Sequence, residues 1–274
     1  MAGKLYVVGT PIGNLGDFSE RGKQVLSAVD FIAAEDTRVT VKLLNHFGIK
    51  QQLVAYFEHN RKERGRLIID RILAGETAAI VTDAGMPAIS DPGEDLVRLA
   101  KENGIEVESV PGPVAFATAL AVSGMPSGRF CFEGFLSVNR QSRTQHLESL
   151  KGEKRTMIFY EAPHKLLRTL ADMLECYGNR EIAVARELTK IHETVWCTTL
   201  KQAYEFYSEN APKGEFVLII GGAPEVDVTE YTFEQAVELA SELKAKGLSA
   251  SEAAKQAASE TGYKKGEIYR QMMG

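Results

Sequence analysis

The sequence predicts an α/β protein of two α/β lobes, followed by a small all-helical C-terminal appendage. Three observations predict it. Short β-rich runs alternate with amphipathic helical periods from Leu5 to Ile220, a cluster of turn formers interrupts this rhythm at Ser123-Gly124-Met125-Pro126-Ser127-Gly128, and beyond Pro224 only helical periodicity is left. A length of 274 residues suits two lobes and an appendage, and we place the boundaries at 1–123, 124–223 and 224–274.

The elements follow in order. Strand-like Leu5 to Gly9 leads to an amphipathic helix from about Ser19 to Ala28, then to a strand over Phe31 to Glu35. Val39 to Phe47 reads as a helix closed by Gly48, Leu53 to Phe57 as a strand, and Arg61 to Leu73 as a helix stopped by Gly75. A strand over Ala78 to Thr82, a helix over Glu94 to Glu102 and a strand over Val107 to Val110 complete the first lobe, whose last helix, Val114 to Val122, has almost nothing polar and is expected to be buried. Past the break, strands are expected at Phe130 to Phe135, Thr156 to Tyr160, Ile182 to Arg186, Thr194 to Thr199 and Phe216 to Ile220. Helices are expected near Arg143 to Leu150, His164 to Tyr177 and Lys201 to Ser208. Several of these strands lie too close together for a helical crossover, so the second sheet should be mixed or partly antiparallel. An acidic linker then leads to helices at Thr232 to Lys246, Ser249 to Glu260 and Lys264 to Met272, with Gly247 and Gly262 as C-caps. These three helices can form either a helix-turn-helix-like unit or a plain helical cap.

Composition excludes several classes. With 44% hydrophobic and 25% charged residues the chain is neither disordered nor collagen-like, and Cys131, Cys176 and Cys197 are too few and too scattered for a disulfide framework or a zinc site. No cluster of metal ligands stands out, so no metal is expected. The apolar run before Gly9 is far shorter than the core of a signal peptide, and no segment approaches a membrane span, so a cytoplasmic, membrane-free protein is expected. A net charge of −5 argues against a general nucleic-acid coat. Two stretches depart from that balance: Arg61 to Arg71 and Ser137 to Arg155 each carry five basic against two acidic residues.

Three strand ends carry the distinctive chemistry. Gly9-Thr10-Pro11-Ile12-Gly13-Asn14-Leu15-Gly16-Asp17 is a glycine-rich turn, but its spacing matches neither a dinucleotide fingerprint nor a phosphate-binding loop, and Pro11 lacks the N–H such a cradle would use. The run Val81 to Gly93 packs two Gly, two Pro and two Asp into a rigid loop at the strand edge where open α/β sheets bind ligands. Pro111-Gly112-Pro113 repeats the device before the small-residue helix. A turn of this kind is equally a structural loop, so the residues alone leave the choice open.

Together with Asp36-Thr37-Arg38, Ser123 to Phe135, Phe159 to Lys165, Ala185 to Glu193 and Lys213 to Ile220, these segments resemble the tetrapyrrole methylase superfamily. The likeness is greatest to the branch that methylates the ribose 2′-hydroxyl of a cytidine in small-subunit (16S) ribosomal RNA, and it covers essentially the whole chain. Lys165 stands where the family usually has Arg, and Ser137 and Asn139 stand where it tends to have Pro and Lys.

The resemblance implies two α/β lobes binding S-adenosyl-L-methionine between them. It assigns the cofactor to Pro11, Asp83, Ala84, Gly85, Met86, Ile89, Val114, Ala115, Glu161, Ala162 and Leu188. An apolar slot suits the adenine, and carboxylates such as Asp83 and Glu161 suit a cationic sulfonium. Ribose methylation needs the hydroxyl held in line with the methyl and its developing negative charge relieved. The candidates are Asp36 and Glu187 as bases, and Arg38 or Lys190 as the positive group; His192 is a further candidate. For RNA, Arg61, Lys62, Arg64, Arg66, Arg140 and Arg143 would flank the cleft on the two basic stretches, with Arg129 beside the break. The partner is then small-subunit ribosomal RNA or the 30S subunit, and the family tends to form homodimers. Two other readings stay open: methylation of a tetrapyrrole precursor, and a regulator binding nucleic acid through the tail. The tail, with six basic against nine acidic residues, has little charge for the second.

Overall fold

The computed structural model describes residues 3–224 and 231–273. The chain forms two compact units, 1–222 and 223–274. The first holds two five-stranded sheets.

In the first sheet the strands β1 (Lys4–Val8), β2 (Phe31–Ala34), β3 (Leu53–Ala55), β4 (Ala78–Val81) and β5 (Glu106–Val110) lie in the order β3-β2-β4-β1-β5. All of the pairings are parallel. The crossovers are α1 (Glu20–Ala28), α2 (Thr37–His46), α3 (Arg61–Leu73) and α4 (Glu94–Glu102). β2 and β4 are buried at every residue because helices cover both faces of the sheet, which is why they read as continuous apolar runs. Phe31, Ala33 and Ile80 pack under Ile68 and Ile72 of α3 and Leu96 of α4, while Ile32, Ala34 and Val81 face Leu26 of α1 and Leu44 of α2. Since the strands run in parallel, the segments that follow β1, β2, β4 and β5 gather at one edge of the sheet.

The helix α5 (Ala115–Val122) leads into β6 (Phe130–Phe135), α6 (Arg140–Ser149), β7 (Thr156–Glu161), α7 (Pro163–Tyr177), β8 (Glu181–Arg186), β9 (Thr194–Thr199), α8 (Leu200–Glu209) and β10 (Phe216–Ile220). Their order is β6-β7-β10-β8-β9, with β6 parallel to β7 and the other pairs antiparallel, so the sheet is mixed as the strand spacing predicts. Met157, Phe159, Val184 and Leu218 pack under α6 to α8, on Leu147, Leu166, Leu170 and Leu200. The alternate residues Ile158, Ala183, Ala185, Val217 and Ile219 face Ala119 and Leu120 of α5 and Ile12 from the loop after β1. The loop after β1 therefore joins the first sheet to the second.

Two expectations change. α5 is buried only where it meets the second sheet; Ala117, Ala121 and Val122 are exposed, Val122 by 52%. α6 starts at Arg140, because the Asn139 side chain accepts a hydrogen bond from the Ser142 N–H and caps it there.

In the second unit α9 (Phe233–Ala245), α10 (Ala250–Thr261) and α11 (Lys265–Met273) enclose a small core of Ala236, Ala240, Ala254, Ala257 and Ile268. Capping boxes at Thr232 and Gln235 and at Ser249 and Glu252 start the first two helices, and Gly262, at φ 75°, ends the second. The acidic linker expected before Tyr231 lies largely outside the described residues.

Candidate active site

Between the edge of the first sheet and the second sheet lies a cavity of about 360 Å³. Ala84, Gly85, Met86 and Ile89 from the loop after β4, Val114 and Ala115 at the start of α5, Glu161 and Ala162 at the end of β7, and Leu188 after β8 all line it. Beside it is a second cavity of about 370 Å³, lined by Pro11, Asp83 and Lys190 and by Val39, Thr40, Lys42 and Leu43 of α2. The two share Ile12, Ala84 and Glu215. The residues that the resemblance assigns to the cofactor thus divide: most surround the first cavity, while Pro11 and Asp83 belong to its neighbour.

Local backbone chemistry builds these walls. Thr10 and Gly85 pair as an isolated antiparallel bridge, Thr10 N–H donating to Gly85 O at 2.9 Å and Gly85 N–H to Thr10 O at 3.1 Å, which ties the loop after β1 to the loop after β4. In the loop after β4, Ala88 and Ser90 have φ of 69° and 63°, left-handed values that cost a side-chain-bearing residue about 1 kcal/mol or more each. The Ala88 N–H donates to Pro92 O at 3.2 Å and closes this loop. A second left-handed pair, Glu187 and Thr189 at 52° and 64°, flanks Leu188 and turns it into the first cavity. The Thr189 hydroxyl accepts the Asn14 N–H at 3.0 Å, so this loop is also held to the first lobe.

Glu161 is almost wholly buried. Its carboxylate accepts the Ala162 N–H at 2.8 Å and the Thr169 hydroxyl at 2.5 Å, and Lys165 stands 3.9 Å away. It both closes the start of α7 and forms part of the cavity wall. Lys165 lies 5.8 Å from the centre of the Phe135 ring, and that ring, 53% exposed, lines the cavity too.

Asp36 and Arg38 form one ion pair. Asp36 caps α2, accepting the Arg38 N–H at 2.8 Å and gripping the guanidinium at 2.6 Å. Those bonds hold its carboxyl down at about 2. Lys190 bridges Glu187 and Glu215 at 2.9 Å each. Desolvation pulls the Lys190 amine down, its hydrogen bonds to the two glutamates more than offset that, and it ends raised. The same hydrogen bond from Lys190 lowers the Glu187 carboxyl. Each of these two carboxylates, Asp36 and Glu187, is committed to a cation in the ligand-free chain, which lowers its tendency to take a proton near neutral pH. They are anchors for Arg38 and Lys190. His192 is exposed beside them, and no cation or carboxylate orients it among the described residues.

Three carboxylates near the first cavity are raised instead. Burial lifts Glu35 and Asp83, and each is further lifted by its neighbours' charge. They are wired together, with the Asp36 N–H donating to Asp83 Oδ1 at 3.2 Å and the Asp83 N–H to Glu35 Oε2 at 3.3 Å. Asp91, which lines the first cavity, is pushed up to about 7 by burial and by the charges of Glu35 and Asp83. Sequence reasoning counted Asp91 only as a turn former in its loop. Its signal would have been that its loop returns toward the ends of β2 and β4, which only the strand order reveals. Glu215, shared by both cavities, lies in the Lys213 to Ile220 segment of the resemblance, but nothing in the sequence set it apart there.

The basic residues are spread unevenly. Arg61, Lys62, Arg64 and Arg66 are exposed on α3, which begins at the loop edge of the first sheet, and Arg61 also reaches Asp95 at 3.6 Å. Arg140 is exposed at the first turn of α6, a few residues from Phe135. Arg143 is a correction: its side chain is 3% exposed, bound to Asp172 at 2.5 Å and to the carbonyls of Ser137 and Val138, so it braces α6 against α7 and offers nothing to a phosphate. Arg129 is exposed, but it precedes β6, and six residues of strand put it roughly 20 Å from the Phe135 end that lines the cavity.

Among the described residues there is no group of side chains that could hold a metal ion, and no helix is long and apolar enough to cross a membrane.

Residues 4–204 match the family profile of the tetrapyrrole (corrin/porphyrin) methylases. The chain is 48% identical over 269 residues, 98% of its own length and 96% of the relative's, to a protein of Synechocystis named ribosomal RNA small subunit methyltransferase I. A protein of the same name from Escherichia coli O157:H7 is 44% identical, with 98% and 94% of the two chains covered. Among solved structures, a uroporphyrin-III C-methyltransferase from Thermus thermophilus complexed with S-adenosylhomocysteine superposes with a TM-score of 0.57 at 18% identity. That match covers 80% of this chain and 97% of that one.

Proposed function

The chain belongs to the tetrapyrrole (corrin/porphyrin) methylases, and from that premise we infer how its residues divide the work of an S-adenosylmethionine-dependent ribosomal RNA methyltransferase. We infer that it methylates the RNA of the small ribosomal subunit, as its relatives' name has it, at the ribose 2′-hydroxyl of a cytidine. The observation that carries the division of labour is the pair of cavities meeting at Ile12, Ala84 and Glu215, one apolar and carboxylate-edged, the other bordered by Lys190.

The first cavity fits the cofactor. Its volume lies in the range of small-molecule sites, its walls are mostly apolar, and the Asp91 carboxylate on its edge suits a ligand with a positive charge. Bound there, S-adenosylmethionine supplies an electrophilic methyl group on a cationic sulfur. Ala84, Gly85, Met86, Ile89, Val114, Ala115, Ala162 and Leu188 form the slot, Glu161 its polar end, and Pro11 and Asp83 the partition facing the substrate. The second cavity receives the ribose. Lys190 on its wall, held by Glu187, is the positive group for the hydroxyl oxygen as it gains negative charge, and Arg38, held by Asp36 in the exposed position just before the Val39 wall, is the second. Phosphates of the strand are met by Arg61, Lys62, Arg64 and Arg66 on one lobe and Arg140 on the other.

The lobes 1–123 and 124–223 each contribute one side of the cleft, and 224–274 is a separate helical appendage. Residence in the cytoplasm follows from the substrate, as does a choice between free RNA and the 30S subunit. A homodimer would cover the exposed apolar Ala117, Ala121 and Val122 of α5.

The test is methyl transfer from labelled S-adenosylmethionine to bare small-subunit ribosomal RNA, to isolated small subunits and to tetrapyrrole precursors, with the modified nucleotide mapped. Label at one cytidine 2′-oxygen is expected. Label in a tetrapyrrole and none in RNA would overturn the reading.

A further inference from the structure

Asp91 has a built position and, among the described residues, no partner. Its loop is closed by the Ala88 N–H on Pro92 O and is held in shape by two left-handed non-glycine residues, Ala88 and Ser90. At the other end Gly93, at φ 137°, is in a conformation that favours glycine and is closely packed: a Cβ there would stand 3.1 Å from Ile80 Cδ1 and 3.2 Å from the Ala88 nitrogen. Across the cavity, β6 and β7 slip register between Phe132 and Gly134, and a Cβ at Gly134 would lie 3.1 Å from Ser90 Oγ. The loop is thus closed on itself in the first lobe and closely approached by the second, and Asp91 lies on the cavity wall. No hydrogen bond and no cation contributes to its electrostatics among the described residues; only Glu35 from the end of β2 and Asp83 after β4 do, and both repel it. The remaining titratable groups on that wall are Tyr160 and Glu161 on β7 and Glu215 before β10. Tyr160 accepts the Phe116 N–H at 3.1 Å, Glu161 is engaged by Thr169 and Lys165, and Glu215 by Lys190. A carboxylate in that setting is stable in two ways: with a proton, or opposite a positive charge supplied by a ligand.

Resting on the reading of this cavity as the cofactor site, we propose that Asp91 discriminates ligands by the charge on their sulfur, giving up its proton when cationic S-adenosylmethionine binds and keeping it when neutral S-adenosylhomocysteine binds. The residue thereby favours the charged cofactor over the spent product, and the advantage is set by pH. Asp91 titrates at about 7 without ligand. Below that value, binding of the cationic ligand must displace a proton, so its dissociation constant rises by up to about tenfold for each pH unit. Binding of the neutral one displaces none.

The experiment is calorimetric titration of the full chain with each of the two compounds from pH 5.5 to 8.5, in two buffers of different ionisation enthalpy. The probes share their adenosine and amino-acid portions, so titration of those parts cancels in the ratio of the two dissociation constants. The ratio of S-adenosylhomocysteine affinity to S-adenosylmethionine affinity should rise about tenfold between pH 8 and pH 6, with proton release seen only for S-adenosylmethionine. Asp91→Asn should flatten that ratio. A flat ratio in the wild-type chain, or an unchanged slope in Asp91→Asn, overturns the role of Asp91. Because the wild-type comparison decides by itself, a misfolded variant does not obscure the result. Failure of both compounds to bind at any pH would instead overturn the reading of the cavity.

Discussion

Gly9 and Gly112 meet backbone to backbone where β1 and β5 end. A Cβ on Gly9 would lie 2.7 Å from the Gly112 Cα, and one on Gly112 would lie 2.8 Å from the Gly9 Cα. Neither neighbour is the end of a flexible side chain, so the strain must be relieved by moving backbone. Both loops lead into the cavities, through Ile12 and Val114. Gly112→Ala is expected to destabilise the protein by about 1–3 kcal/mol and to weaken S-adenosylmethionine binding as the loops part. Gly128→Ala, where a Cβ meets nothing within 4 Å, is the control and should change little. Thermal unfolding and calorimetry check both, and a Gly112→Ala protein equal to wild type in each would refute the close approach of the two strands.

Arg38 is 88% exposed yet held bidentately by Asp36, which suits a cation kept in place for a substrate. Arg38→Ala is expected to lower kcat about 10- to 100-fold with cofactor affinity unchanged. Asp36→Asn should give a smaller loss, since the amide oxygen can still cap α2. Because the Asp36 carboxyl is held at about 2, it stays ionised throughout the working range. Its replacement should therefore leave the shape of the rate profile between pH 5 and 9 as it is. Loss of an acid limb in Asp36→Asn would restore Asp36 as the base.

These two sites show what the sequence makes legible. Gly9, Gly85 and Gly112 mark strand ends, and a parallel sheet must bring those ends to one edge, so the strand pattern and its glycines point to the cleft directly. The partner of each charge is a different matter. Asp36 reads as a base until Arg38 is seen folded back upon it, two residues away along a helix start. Asp91 reads as a turn residue because its surroundings come from Glu35 and Asp83, at the ends of two strands adjacent in space but far apart in sequence. Arg143 sits in a run of positive charge, and a count of charge along a helix does not say which face is turned inward.

The contrast between Arg140 and Arg143 tests that last point. Arg143 is buried and Asp172 about a quarter exposed, so Arg143→Ala should cost about 1–3 kcal/mol of stability by leaving that carboxylate and two carbonyls without their partner. Arg140→Glu, at an exposed position, should leave the unfolding temperature within a degree or two and weaken RNA binding several-fold. The measurements are thermal unfolding and a filter-binding isotherm on small-subunit RNA. Wild-type stability in Arg143→Ala would show that the buried pair carries no load.

The exposed face of α3 is expected to act through charge alone. Reversing Arg61, Lys62 and Arg64 together should weaken RNA binding and reduce the slope of log affinity against log salt by about one for each phosphate that is no longer neutralised, without affecting the cofactor. Arg61 contributes least, being already drawn to Asp95 at 3.6 Å. An unchanged slope would take α3 out of the footprint.

Asp91 also makes a prediction for the free protein that is independent of any ligand. An unfolded chain releases this proton at about pH 4, whereas the folded chain holds it to about 7. Between those values the folded state binds more protons than the unfolded one, so this residue's contribution to stability falls as pH rises from about 4, and the penalty is fully present above about 7. Asp91→Asn removes the titration while keeping the shape of the side chain. It should stabilise the ligand-free protein above pH 7, by about 1–2 kcal/mol after allowance for screening, and bring no gain near pH 4. Glu35→Gln should act in the same direction but less, because it withdraws one of the two charges that repel Asp91 and lets the carboxylate ionise at a lower pH. Unfolding curves at pH 4.5 and pH 8 decide it. If Asp91→Asn is equally or less stable than wild type at pH 8, the carboxylate has a partner in solution, and the setting that makes it sensitive to a ligand's charge does not exist.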